Sequence, residues 1–157
     1  MNDWAKRLAD EVKKQQDQAA SDNAKFLENQ RLKKEFGPVL WRGVVAEVKN
    51  GCTAMNRELR SNVAVVVDTP EHELNVRNEN IPERRLTSSF DVDKALVAWD
   101  VRPLRSGGSA QGRYEVAVDK NGKAQLYQQG PHGESLLVEP SSFAEIAERM
   151  LAFLFRD

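Results

Sequence analysis

The sequence predicts an α+β protein, with helices packed on one face of a mostly antiparallel sheet of about six strands. Three observations support this fold class. Apolar residues between Pro38 and Leu59 recur in steps of three and four, as on one side of a helix. Residues 62–128 contain short segments with alternating apolar and polar positions, typical of antiparallel strands with one solvated face. A second helical pattern follows Pro140 and closes the chain.

Residues 1–36 are predicted to form a polar helical arm. Trp4, Leu8 and Val12 step by four, but the middle of the segment offers mainly alanines, and Ser21 is a candidate cap for a second helical piece. A continuous helix of this length spans about 50 Å, which exceeds the breadth of the remaining domain. The arm should therefore project, pair with a partner, or fray. A dimerisation arm and a solvated leader both fit the pattern.

Gly37 and Pro38 are interpreted as the end of that arm and the first turn of a second helix. Gly43 and the pair Asn50-Gly51 weaken this second helix, and Asn50-Gly51 also fits a hairpin turn. The helical spacing that follows the pair argues against the hairpin. The sequence thus predicts two N-terminal helices, with a single α+β domain over residues 37–157. The predicted stripe contains Trp41, Val44, Val45, Val48, Cys52, Met55 and Leu59.

Six segments are predicted to form strands, and turn residues separate them. Pro103 to Gly112 is predicted to be a flexible loop, because it contains serine and several glycines. Asn121-Gly122 is predicted to be a two-residue hairpin turn between two strands. The predicted strands are residues 63–67, 74–78, 84–92, 96–102, 113–119 and 124–128.

The last helix begins at a predicted capping box formed by Ser142 and Glu145. Its end is strongly apolar, and Phe153 and Phe155 should dock on the sheet or on another subunit. These two residues are therefore interface candidates, together with Trp4, Leu8 and Val12 of the arm. The predicted apolar face consists of Phe143, Ile146, Ala147, Met150, Leu151 and Leu154.

The composition argues against two classes of partner. The chain has 157 residues with 23 basic and 24 acidic side chains, and a net charge of −1. Such a balance disfavours electrostatic attraction to nucleic acid or to an anionic membrane. No apolar run is long enough to span a bilayer, and the charged start lacks the apolar core of a signal peptide. A cytoplasmic protein is expected.

No catalytic residue, metal site or cofactor is predicted. Cys52, His72 and His132 are widely separated and have no neighbouring ligand at metal-binding spacing. Cys52 lies on the helical stripe, which favours a buried thiol over a nucleophile. The loop Ser106–Ser109 lacks the lysine of a phosphate-binding loop and does not precede a helix. The sequence therefore favours a protein that is not an enzyme.

Three arginines on the predicted wet face of the sheet, Arg85, Arg102 and Arg113, are the candidate binding residues. Acidic residues share that face, so the sequence favours cross-strand ion pairing over ligand binding as the role of the arginines. The aromatic residues of the strands fall on the other face, which removes a stacking platform for RNA. Nucleic-acid binding is therefore disfavoured.

The sequence favours a non-catalytic protein-interaction module that associates with itself or with a protein partner. The alternative is a domain that binds a small molecule, or acts like a chaperone, through a pocket between helix and sheet. Trp41 and Trp99 are the candidates for lining such a pocket.

Overall fold

The computed structural model describes residues 2–136 and 139–156. The six strands form a single sheet in chain order, and every neighbouring pair is antiparallel. The α+β class and the antiparallel sheet are thereby confirmed. The elements are α1 (Asp3–Leu59), β1 (Ala64–Val67), β2 (Glu73–Asn78), β3 (Arg85–Asp91), β4 (Leu96–Arg102), β5 (Ala110–Val118), β6 (Ala124–Gln128) and α2 (Phe143–Phe155).

One face of the sheet forms the core. The strand register aligns Val76 with Leu86 and Leu86 with Val101, and all three side chains are completely buried. The alternate residues point the other way and most are exposed or half-buried, as the exposed Thr87 of β3 is, whereas Tyr127 of β6 is buried on that side. Period-two alternation therefore decides which side chains meet the helices, because successive strand residues face opposite sides.

The C-terminal half of α1 covers part of this face. Val44 and Val48 are completely buried, and the Trp41 ring stacks on the Phe90 ring with centroids 6.2 Å apart. The Trp41 Nε1 donates a hydrogen bond of 3.0 Å to the backbone oxygen of Glu71. The indole therefore fills core volume and keeps its one polar group paired, as a buried tryptophan requires.

The C-terminal helix is anchored at both ends. The Ser142 Oγ accepts a hydrogen bond of 3.1 Å from the backbone N–H of Glu145, so the predicted cap is confirmed. Near the other end, the side-chain amide of Asn78 donates to the backbone oxygen of Leu154 over 2.9 Å. Asn78 is itself buried, and this bond satisfies an amide that would otherwise be costly to bury.

Two glycines of α1 allow the helices to approach each other. A Cβ at Gly43 would lie 2.3 Å from the Phe143 ring, and a Cβ at Gly51 would lie 3.0 Å from Leu151. Gly51 lies eight residues after Gly43, and Leu151 lies eight residues after Phe143, so α1 and α2 run in the same direction. The glycines that weaken the helical pattern in sequence are thus explained by packing.

The prediction of two N-terminal helices is wrong, because α1 continues through Gly37 and Pro38. Gly37 does not end a helix. It is buried against Phe90, where an added Cβ would lie 2.9 Å from the ring atom Cζ. Pro38 removes one backbone donor and Gly37 has low helix propensity, but packing of this segment on the sheet offsets these costs and the helix continues. The break considered near Ser21 does not occur either.

The arm predicted for residues 1–36 corresponds to the exposed part of α1. From Asn2 to Phe36 every residue is exposed or half-buried, and the first buried residue of the helix is Gly37. A helix of 57 residues extends over about 85 Å at 1.5 Å per residue. Its N-terminal half has no contact surface on the sheet.

Three local predictions need correction. Leu59 was placed on the buried stripe but is exposed, since it is the last residue of α1 and lies beyond the sheet contact. β5 begins at Ala110, inside the predicted loop, because Ala110 pairs with Val101. The hairpin after β5 has three loop residues rather than two. The backbone N–H of Asp119 donates to the backbone oxygen of Lys123, the backbone N–H of Lys123 donates to the Asp119 Oδ1, and Gly122 adopts a positive φ of 79°.

Replacing a core leucine and an exposed one tests this assignment of burial. Leu86→Ala should lower the free energy of unfolding by about 2–5 kcal/mol, because it leaves a cavity in the centre of the sheet. Leu59→Ala removes the same atoms from a side chain that is 55% exposed, and it should change the free energy by less than about 0.5 kcal/mol. Urea denaturation followed by circular dichroism measures both. Equal effects would contradict the burial described above.

Candidate functional site

The exposed half of α1 carries a stripe of uncharged residues. Trp4, Leu8, Val12 and Phe26 are 61%, 52%, 43% and 58% exposed. Between Val12 and Phe26, glutamine, asparagine and alanine continue the same side of the helix at steps of three and four. Charged residues occupy the other sides of the helix. We call this set the arm stripe: Trp4, Leu8, Val12, Gln15, Gln16, Ala19, Asn23 and Phe26.

The arm stripe lies on the same side of α1 as the buried stripe. Leu8, Phe26 and Val44 are separated by 18 residues each, which is about five full turns at 3.6 residues per turn. Val12 and Val48 are 36 residues apart, or about ten turns. Val44 and Val48 are fully buried by the sheet and α2. One helical face is therefore covered in its second half and open in its first.

An exposed ion-pair network lies on the opposite side of the arm. The Arg31 guanidinium contacts Glu28 at 2.6 Å and Glu35 at 2.7 Å. The hydrogen bond to Arg31 lowers the pKa of Glu28, and these carboxylates raise the pKa of Arg31. Pairs at these spacings support the helix modestly. These three residues lie away from the arm stripe, but one edge of the stripe carries a charge, because Asp22 follows Trp4 by 18 residues and lies at the same angle around the helix.

The register brings two of the three predicted binding arginines together. Arg85 lies between Arg77 and Arg102 in a cross-strand row on the wet face of the sheet. Arg113 lies in a different row, opposite Ala98. Like charges side by side destabilise a sheet unless they are compensated.

Acidic neighbours compensate the two outer arginines of that row, and each lies two residues along the chain from the arginine with which it pairs. Arg102 contacts Asp100 at 2.7 and 3.0 Å, and this pairing raises the pKa of Arg102. Arg77 pairs with Glu79 two residues along the chain. The sequence predicted ion pairs between neighbouring strands, but these two pairs join residues two positions apart in the chain. A guanidinium can reach such a neighbour because residues i and i+2 of a strand lie on the same face.

A cavity with a volume of about 760 Å³ lies where β5 extends beyond the end of β6. Arg113 borders it, as does Trp99, whereas Trp41 is buried against Phe90 instead. The turn at residues 130–133 and the helix residue Arg149 form further walls. Sequence patterning did not reveal this cavity, since its walls come from four strands, β3 to β6, from the turn at residues 130–133 and from α2.

Close packing shapes the wall of the cavity at Gly112. A Cβ there would lie 2.5 Å from the Trp99 Nε1, so the indole occupies the space that a side chain would take. Tyr114 follows on the same face of β5, and burial raises the pKa of its hydroxyl while the adjacent Arg149 opposes that effect. A neutral phenol beside a guanidinium offers hydrogen-bond donors at the rim.

The two C-terminal phenylalanines lie against the protein's own core. The Phe153 ring contacts the Trp99 ring with centroids 5.7 Å apart, and it remains 38% exposed. Phe155 is half-buried and packs against the hydrophobic core cluster. Of the residues named as interface candidates, Trp4, Leu8 and Val12 are the ones that contact nothing in the core.

Other kinds of site receive no support in the described part of the chain. Residues 2–136 and 139–156 contain no group of three His, Cys, Asp or Glu side chains placed to hold a metal ion. Neither helix has the length and apolar composition needed to cross a membrane. Comparison with known protein families, curated proteins and solved structures finds no match to this chain.

The thiol of Cys52 should react slowly in the folded protein. Burial raises its pKa from 9.0 to about 11, which lowers the thiolate fraction near neutral pH about 100-fold. Labelling with iodoacetamide at pH 8 should therefore be at least about 100-fold slower in buffer than in 8 M urea. Because the pKa is higher in the folded state, its contribution to stability is present below pH 9 and disappears as the pH rises towards 11. Rapid native labelling would contradict a buried Cys52.

Proposed function

We propose that the protein is a non-catalytic interaction module that associates with itself through the arm stripe. The observation that supports this is the exposed stripe of apolar and mostly uncharged residues on a helix whose other sides are charged. Helices in proteins gain most of their stability from packing of an apolar face against another element. An apolar face that its own sheet does not cover favours a partner.

The proposal concerns a soluble, cytoplasmic protein whose partner is a protein chain. Self-association through a helical arm needs no cofactor and no ligand. It uses the second half of α1 only to hold the arm, because Val44 and Val48 fix the helix on the sheet. The α+β domain then serves as the body that the arm connects to a partner.

A charge placed in the arm stripe tests the self-association. Val12→Asp should weaken the dimer at least about ten-fold, because an aspartate would lose water on association without gaining a partner. Ala24→Asp adds the same charge to the same arm on the far side of the helix and should leave association unchanged. Sedimentation equilibrium over a range of concentrations measures the mass, which should rise from 17.7 kDa towards twice that value.

A mass of one chain at all concentrations for the unmodified protein would overturn the proposal. Equal weakening by both variants would also overturn it, since it would trace the effect to the helix and not to the stripe. Far-ultraviolet circular dichroism checks that both variants keep α1.

We propose a second candidate function because of the cavity beside Trp99. Its volume of about 760 Å³ lies in the range of small-molecule sites. Arg113 and Arg149 border it, and the acidic residue at its wall, Asp100, is already paired with Arg102. This excess of positive charge favours a small organic anion over a neutral ligand.

A thermal-shift comparison tests the second candidate. Benzoate at millimolar concentration should raise the melting temperature more than benzamide, since only the carboxylate can pair with the guanidinium groups. Arg149→Gln should abolish the difference, whereas Arg7→Gln, an equal change on the distant arm, should preserve it. Identical shifts with both compounds would argue against an anion site.

A further inference from the structure

We infer that two copies of this chain pair through their arms in antiparallel orientation, with the body of each copy at the opposite end of the paired helices. The inference rests on the proposed self-association and adds its geometry. It follows from three features: the side of α1 on which the arm stripe lies, the order of residues along the stripe, and the charges along one edge of it.

The body of the protein excludes a parallel pair. The arm stripe and the buried stripe face the same side of one continuous helix, as the spacing of Leu8, Phe26 and Val44 requires. Packed helices have axes about 8–10 Å apart. A parallel partner lying on the arm stripe would continue past Gly37 into the space that the sheet fills at Phe90. An antiparallel partner does not enter that space, because the rest of its helix and its body lie beyond the N-terminal end of the arm.

The order of residues along the stripe fits the antiparallel orientation. The large apolar residues lie at its two ends, around Leu8 and around Phe26, and uncharged smaller or amide side chains lie between them. When Leu8 lies opposite the partner subunit's Phe26, the two-fold axis passes near residue 17. Gln15 then lies opposite the partner subunit's Ala19, so a long side chain meets a short one.

The charges along one edge of the stripe complement each other in the same register. Glu11 and Asp22 are three turns apart on this edge, and so are Lys14 and Lys25. In an antiparallel pair this edge faces the same edge of the partner. Glu11 then lies near the partner subunit's Lys25, and Asp22 near the partner subunit's Lys14. Such exposed pairs add little affinity, but they select orientation.

The contact area agrees with a reversible dimer. With the two-fold axis near residue 17, overlap of residues 4–30 gives a strip about 40 Å long and about 10 Å wide, or about 800 Å² for both copies together. Specific interfaces start near 1,000–1,200 Å². The pair should therefore dissociate on dilution, and single charges on its edge should have measurable effects.

Disulfide formation between singly substituted chains tests the orientation. A Leu8→Cys chain and a Phe26→Cys chain, both carrying Cys52→Ala, are mixed in equal amounts at a concentration where the mass indicates dimers and are then oxidised. An antiparallel pair brings these two positions within the Cα separation of a disulfide. The mixed disulfide should dominate, and mass spectrometry distinguishes it from both symmetric products.

Matched control chains carry Asp10→Cys and Glu28→Cys, which have the same spacing of 18 residues but lie on the far side of the helix. They should give little mixed product. Dominant symmetric products from Leu8→Cys would overturn the antiparallel orientation and leave self-association intact. Monomeric mass without any cross-link would overturn self-association itself.

Charge reversal gives a second, independent measurement. Glu11→Lys should weaken the dimer about two- to five-fold, because it places two lysines together at two symmetric positions. Adding Lys25→Glu to the same chain should restore the affinity. Failure of the double variant to recover would contradict the pairing of Glu11 with the partner subunit's Lys25.

Discussion

The structure depends on the burial of one helical face by one sheet face. Val44 and Val48 of α1 are completely excluded from water by the strands and by α2. Burial of such side chains contributes about 1.5–3 kcal/mol each, which makes this contact the main constraint on the direction of α1. Because α1 is continuous, the same contact also determines where the exposed arm points. An interaction in the core thus fixes the geometry of a surface about 50 Å long.

The three glycines in the second half of α1 illustrate how packing overrides helix propensity. Gly37, Gly43 and Gly51 each cost about 1 kcal/mol relative to alanine in a helix. Each one lies where an added Cβ would approach Phe90, Phe143 or Leu151 within 3.0 Å. The helix keeps these glycines because close contact with the sheet and with α2 offsets their cost. The same reasoning explains why Gly37 followed by Pro38 does not end the helix.

The two candidate surfaces differ in how they are built. The arm stripe comes from one element and is encoded by residue spacing along a single helix. The cavity beside Trp99 is assembled from the strands β3 to β6, the turn at residues 130–133 and Arg149 of α2. The arginine row on the wet face is also assembled, since Arg77, Arg85 and Arg102 come from three strands. Only the first kind of surface is visible in a linear pattern.

The sequence by itself determined the fold class, the strands, the capped last helix and the apolar groups of the arm. These features follow from local periodicity and from local hydrogen bonds such as that of Ser142 with Glu145. Tertiary structure decided the continuity of α1, the row formed by Arg77, Arg85 and Arg102, the position of Arg113 away from it, and the cavity. Those features depend on which distant residues meet, as Gly37 meets Phe90. Spacing along the chain carries no information about strand register or about a close approach between elements, so these had to come from the packed structure.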